Sequence, residues 1–155
     1  MITSEFGGEN MPQLGLHVMD RTIQDTNTWL SRISEEMNHP DRQMAYHALR
    51  GVLHALRDRL TVEEAHHFGA QLPTLVRGFY FEGYRPADKP LRYRDREPFI
   101  QTVSAELQQS GGENPEDATR AVFAVITREL DAGIVSQVRD MLPEAVRQLW
   151  QEPVE

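Results

Sequence analysis

Five of the six histidines of this 155-residue chain fall between His39 and His67, and that segment is where metal chemistry is tested first. Glu63-x-x-His66 and Glu64-x-x-His67 set a carboxylate and an imidazole one helical turn apart. In carboxylate-bridged di-iron bundles such a pair reaches one ion, but a second helix must supply the matching pair and two more inward glutamates complete the site. Seventy residues on, the corresponding positions are Gly133, Ile134, Ser136 and Gln137. The partner motif is absent, so neither a metal nor another cofactor is expected. Glu63, Glu64, His66 and His67 are instead expected to form a wet histidine pair beside a helix cap. His47 and His54 lie roughly 20° apart around a helix but two turns, roughly 10.5 Å, apart along it, too far to share an ion. With Asp58 they are expected on a solvated or partner-facing side, opposite the Leu49–Leu56 stripe. Gly51 shares that face, where a mid-helix glycine costs about 1 kcal/mol against alanine. Close helix approach is the expected reason for it.

Other catalytic chemistries lack their residues. The absence of cysteine removes disulfides, thiolate nucleophiles, zinc ribbons and iron–sulfur clusters together. No Gly-x-Ser-x-Gly occurs, and Ser110-Gly111-Gly112 has no phosphate-loop context. The chain is therefore not expected to be an enzyme. A net charge of −8, from 16 basic and 24 acidic residues, argues against a nucleic-acid-coating protein. One basic stretch remains: Arg77, Arg85, Arg92, Arg94 and Arg96 interleave with Tyr80, Tyr84 and Tyr93, types that pair and stack with anions. Asp88, Asp95 and Glu97 offset much of that charge, and arginine and tyrosine also anchor ordinary protein interfaces. Arg77, Phe79, Tyr80, Phe81, Tyr84, Arg92 and Arg94 are the candidate interaction surface.

Helices must position these residues. Shifted by 70, Trp29–Glu82 aligns without a gap on Phe99–Glu152, with 11 identities in 54 positions. Apolar residues replace apolar ones throughout, as in Trp29/Phe99, Ile33/Val103, Leu53/Phe123 and Tyr80/Trp150. Self-similarity at a fixed period marks a duplicated unit. In the first unit His39-Pro40 closes one helix, and Asp41 caps a second carrying Ala45, Leu49, Val52, Leu53 and Leu56. Thr61-Val62-Glu63-Glu64 reads as a capping box, and Pro73 as the first turn of a fourth helix. In the second unit Gly111-Gly112, the cap Asn114-Pro115, Gly133 and Pro143 mark the same boundaries. The near-continuous apolar run Ala121–Ile126 implies a central helix.

The expected fold is all-α: about eight short helices in two four-helix repeats, 22–82 and 99–152, packed as one pseudo-symmetric domain spanning 1–155. Residues 83–98 form a stiff Pro/Arg-rich connector, whose prolines are Pro86, Pro90 and Pro98. Residues 1–12 read as a flexible leader, the first ten native or expression-derived, with Met11 a candidate natural start; Pro153–Glu155 reads as a polar tail. No window approaches the roughly 18 apolar residues of a membrane helix, and Met1–Asn10 has no signal-peptide core. A cytoplasmic protein without a membrane partner is the expectation. The repeat also matches charges, Glu36/Glu106, Arg50/Arg120 and Arg77/Arg147. Glu36, Arg50, Glu106 and Arg120 are expected in structural ion pairs that tie together the helices of each half.

The runs Ala48-Leu-Arg-Gly-Val-Leu-His-Ala-Leu-Arg-Asp-Arg-Leu60, Ala70-Gln-Leu-Pro73 and Val76-Arg-Gly-Phe-Tyr-Phe-Glu-Gly83 resemble a bacterial family, the domain-of-unknown-function family numbered 2267. Phe99, Ala121–Ile126, Leu142-Pro143 and Leu149-Trp150 extend the similarity over residues 22–152. The resemblance implies an all-helical, soluble bacterial protein and carries no catalytic residues across. The expected function is a non-catalytic module for protein contacts, with a protein partner or a second copy. The alternative is a binder of a small ligand, anion or metal through the His39–His67 region and the connector arginines.

Overall fold

The computed structural model describes residues 16–151, the last by its backbone only. The leader over 1–12, the candidate start at Met11, Glu152 and the tail lie outside the described residues. Eight α-helices follow in order: α1 His17–Met37, α2 Arg42–Arg59, α3 Val62–Gly69, α4 Thr74–Phe81, α5 Glu97–Leu107, α6 Pro115–Glu129, α7 Ala132–Asp140 and α8 Glu144–Gln151. Two single-turn 3₁₀ segments, Pro86–Asp88 and Gln108–Ser110, complete the list, and no strand occurs among the described residues.

Local chemistry sets the ends. Asp41 Oδ1 accepts from the Gln43 amide at 2.9 Å, and Asn114 Oδ1 from the amides of Glu116 and Asp117 at 2.9 and 3.0 Å, each cap satisfying donors that no helix turn can reach. α1 closes one residue before the expected His39-Pro40, because Asn38 takes a left-handed turn at φ 53° and His39 bonds back to Ser34 O.

Three expectations need correction. Gly133 does not end a helix; Asp131 caps α7 by accepting from the Gly133 amide at 3.0 Å, so this glycine sits in the first turn. Pro73 and Pro143 stand one residue earlier than expected, as caps: their carbonyls accept from Arg77 and Arg147 at 2.8 and 2.9 Å, opening α4 and α8 from outside. The capping box is half-built. Thr61 Oγ1 accepts from the Glu64 amide at 3.1 Å, while Glu64 turns away and accepts from Gln137 of α7.

One apolar core runs through both halves. α2 and α6 lie at its centre, burying Leu49, Val52, Leu53 and Leu56 on one and Val122, Phe123, Val125 and Ile126 on the other. α2 packs most extensively on α5, and α6 meets α1, α2, α5 and α8. Helix ends recur seventy residues on: α1 closes at Met37 and α5 at Leu107, α2 at Arg59 and α6 at Glu129, α4 at Phe81 and α8 at Gln151. The first pair differs, since α1 has 21 residues and α5 has 11. The connector occupies the place of the missing turns. It contains a 3₁₀ turn and a cis Lys89–Pro90 bond instead of running uniformly extended. It clasps the domain, with the Leu91 amide bonding Asp58 O and Arg96 donating to Ala145 O and Gln148 Oε1.

Candidate functional site

Where α2 crosses α5, Gly51 lets the helices approach until an added Cβ would stand 3.0 Å from Glu106 Cβ and 3.3 Å from Val103 Cα. The close crossing brings Glu106 onto the charged face of α2. Its Oε1 accepts from Arg50 Nη1 at 2.8 Å, and its Oε2 lies 2.7 Å from His47 Nδ1, with both His47 and Glu106 side chains mostly buried. Arg50 Nε donates to Glu82 Oε1 at 3.0 Å, beyond the end of α4. One guanidinium thereby joins α2, α5 and the α4 exit.

The expected pairing within each half holds for Arg50, through Glu82. The correction concerns Glu36 and Glu106, which pair across the halves, Glu106 with Arg50 at 2.8 Å and Glu36 of α1 with Arg128 of α6 at 3.3 Å. Arg120 bonds Asp117 Oδ1 at 3.0 Å within its own helix. Pairing across the crossing follows from packing, because α2 lies on α5 more extensively than on any other helix.

His47 and His54 are not solvated, and this too is a correction. His54 Nε2–H donates to Phe79 O at 2.7 Å, so α4 covers the place where open solvent was expected. Burial lowers the His54 pKa; Arg57 and Arg50 push the same way, while the Phe79 hydrogen bond and Asp58 oppose. Folding therefore favours the neutral ring. Above pH 6.5 both folded and unfolded chains carry it neutral, and as pH falls through 6.5 the unfolded chain takes the proton first. Stability is expected to fall with acid from that point, by at most about 1.4 kcal/mol per pH unit from this group. His54→Gln should flatten the difference in thermal midpoint between pH 7.5 and 5.5; an unchanged slope removes His54 as the cause.

The Glu106 carboxylate orients His47 as a carboxylate orients an imidazole in many hydrolytic sites. Here the rest of the surroundings are Arg50 and the Tyr46 ring, 4.9 Å from the imidazole, and no hydroxyl nucleophile bonds the histidine. The arrangement holds helices together. His66 Nδ1 bonds Val62 O at 2.9 Å, and Glu64 bonds Gln137, so Glu63, Glu64, His66 and His67 do not converge. Among the described residues no group of three or more histidines and carboxylates is placed to hold a metal.

The expected interaction surface is corrected as well. Tyr80 is fully buried, its hydroxyl donating to Ala65 O, and Phe79 and Phe81 pack half-buried against the core. The aromatic run faces inward because an added Cβ at Gly69 would lie within 2.9 Å of the Tyr80 and Phe81 rings, so α3 can approach them only without a side chain. Arg77 is spent on the carbonyls of Gly69, Ala70 and Leu72 at the end of α3. Tyr84 lies under the Arg57 guanidinium, 5.3 Å from its centre.

Arg92 and Arg94 differ from these. They are exposed, make no hydrogen bond or ion pair among the described residues, and with Arg59 and Tyr93 line a cleft of about 330 Å³. Arg59 is held in place there, its Nε and Nη2 donating to Tyr93 O at 3.3 and 3.1 Å and its guanidinium 5.2 Å from the Tyr93 ring centre. Sequence reasoning missed Arg59, which lies in the α2 run outside the connector. The one available signal was that it sits at the last turn, where the chain must double back.

These features define a class first: an all-helical protein with a single core, a polar crossing that locks its halves, and an arginine-lined cleft. The chain belongs to the DUF2267 family of uncharacterized conserved proteins, whose family model matches residues 26–149. A search of curated proteins finds none that matches the chain.

Proposed function

We propose that the chain is a non-catalytic bacterial cytoplasmic module, duplicated from a four-helix unit, that acts through protein contacts by self-association. One observation carries the reading. Of the five large apolar side chains exposed among the described residues, four lie at the start of α1 or of α4: Leu16 at 57%, Val18 at 64%, Met19 at 40% and Leu75 at 41%. Thr22 Oγ1 accepts from the Leu75 amide at 2.8 Å, which places the start of α4 one turn along α1 from Val18 and Met19. Such a cluster loses free energy in water and gains it when two copies cover it about a two-fold axis. The cytoplasmic assignment is supported by the absence of any helix long and apolar enough to cross a membrane among the described residues. The duplication is supported by the gapless identities and the recurring helix ends.

Sedimentation equilibrium from micromolar to millimolar chain tests the reading. Wild type is expected to associate, and more strongly in salt, because copies of charge −8 repel one another and ions screen that repulsion. The double variant Val18→Asp, Leu75→Asp should stay monomeric with its fold intact by circular dichroism. A wild-type monomer at every concentration and salt level would sink the reading. A second reading, binding of a small anion, is favoured by the unpartnered Arg92 and Arg94.

A further inference from the structure

The cleft at the end of α2 has the chemistry of an oxyanion receptor. Three guanidinium groups, Arg59, Arg92 and Arg94, line it, and no carboxylate does. Like charges gathered without a counter-ion repel, so an anion entering between them relieves a cost already present in the fold. Arg92 and Arg94 alternate with Tyr93 along the connector, and in extended chain residues two apart share a face, which is how both reach one cleft. Arg59 is already ordered by its two bonds to Tyr93 O and leaves Nη1 unused, so little freedom is lost when it meets a ligand. The Tyr93 hydroxyl makes no bond within the protein, and burial pushes its pKa up to about 12, opposed by Arg59 and aided by Asp58; it is a proton donor at neutral pH. Asp58, whose charge reaches Tyr93, is paired with Arg57 Nε at 3.0 Å.

Two magnitudes narrow the ligand. The volume, about 330 Å³, is on the order of ten water volumes, far more than one tetrahedral oxyanion fills. The whole-chain charge of −8 disfavours a long polyanion. Deepening the anion-binding reading on which it rests, we infer that Arg59, Arg92, Tyr93 and Arg94 form a binding site for a small phosphate monoester of sugar-phosphate size, the phosphoryl oxygens taken by the guanidinium forks. Arginine suits this role because its planar fork matches two oxygens of a phosphate at once.

Isothermal titration of the full chain with glucose 6-phosphate, inorganic phosphate and acetate, at matched ionic strength, tests it. The sugar phosphate is expected to bind saturably, at least about tenfold tighter than inorganic phosphate, with acetate inert. The double variant Arg92→Gln, Arg94→Gln should lose binding by more than tenfold while its thermal midpoint does not fall below that of wild type, since neither side chain holds a partner among the described residues and their mutual repulsion is relieved. A further variant, Tyr93→Phe, removes only the hydroxyl and should weaken binding with the ring and Arg59 still in place. Equal affinity for inorganic phosphate overturns the monoester inference and leaves the anion reading standing. Binding that survives loss of both arginines overturns the assigned site and leaves the anion reading standing; no saturable heat from any of the three ligands overturns the inference and that reading together.

Discussion

Arg57→Met is expected to destabilise the fold by about 3 kcal/mol, because the buried Tyr80 carbonyl and the part-buried Glu82 carbonyl lose their donor at once. Arg57 is 5% exposed, at the inner face of α2. Its Nη1 donates to Tyr80 O and, at 2.7 Å, to Glu82 O, while Nε meets Asp58. The last carbonyls of a helix have no partner within it, so α4 ends against α2 only because this guanidinium supplies one. Methionine keeps most of the packing of the arginine stem and none of its donors, which isolates the hydrogen-bonding loss. Lysine offers a single flexible ammonium and should recover only part of it. Urea unfolding with a shared slope measures the difference. A loss under about 1 kcal/mol would mean that water replaces the guanidinium, and that the α4 exit is not dry.

Gly51→Leu is expected to cost about 3 kcal/mol, at the upper end of what overpacking usually imposes. On a chain of this length that lowers the thermal midpoint by roughly 10 °C. The first added carbon would already press on Glu106 Cβ and the Val103 backbone, and the leucine branch has nowhere to turn. Forcing α5 outward also separates Glu106 from His47 and Arg50, so packing and ion pairing fail together. Gly51→Ala sets two effects against each other: about 1 kcal/mol gained in helix propensity and a few tenths of an ångström of forced shift. It should change the midpoint little. A leucine variant as stable as wild type would show that the crossing is loose and that Gly51 has another role.

The counterparts of these residues show what repetition does and does not carry. Position 127 holds threonine where the first half has Arg57, and Thr127 Oγ1 accepts from Trp150 Nε1 at 2.7 Å. Trp150 also stacks on Phe123 with centroids 3.9 Å apart. In each half the last helix is therefore fastened to the second, once by a guanidinium on carbonyls and once by an indole on a hydroxyl. Apolar register is the shared part; the polar fastenings differ.

The sequence by itself determined the helices and the core. Their signals are local: Asp41 and Asn114 cap within three residues, Gly111-Gly112 closes a turn, and Leu49, Val52, Leu53 and Leu56 recur at the helical period. Burial follows from that periodicity wherever a stripe is continuous, which is why the central place of α6 and the buried stripe of α2 were legible. Only the tertiary structure decided which polar groups meet. Glu106 and His47 are 59 residues apart, and Arg59 and the Tyr93 carbonyl 34. Their partnerships depend on how closely α2 and α5 cross and on where the connector returns. A helical face of histidines reads as exposed until α4 and α5 are laid over it, and an aromatic triplet until α3 closes on it at Gly69. Tyr80 went inside because Gly69 leaves room for its ring, and Arg92 and Arg94 stayed outside because the clasp of the connector used Arg96 and Arg59 instead. Such choices rest on distances between elements, and periodicity within one element holds no information about them.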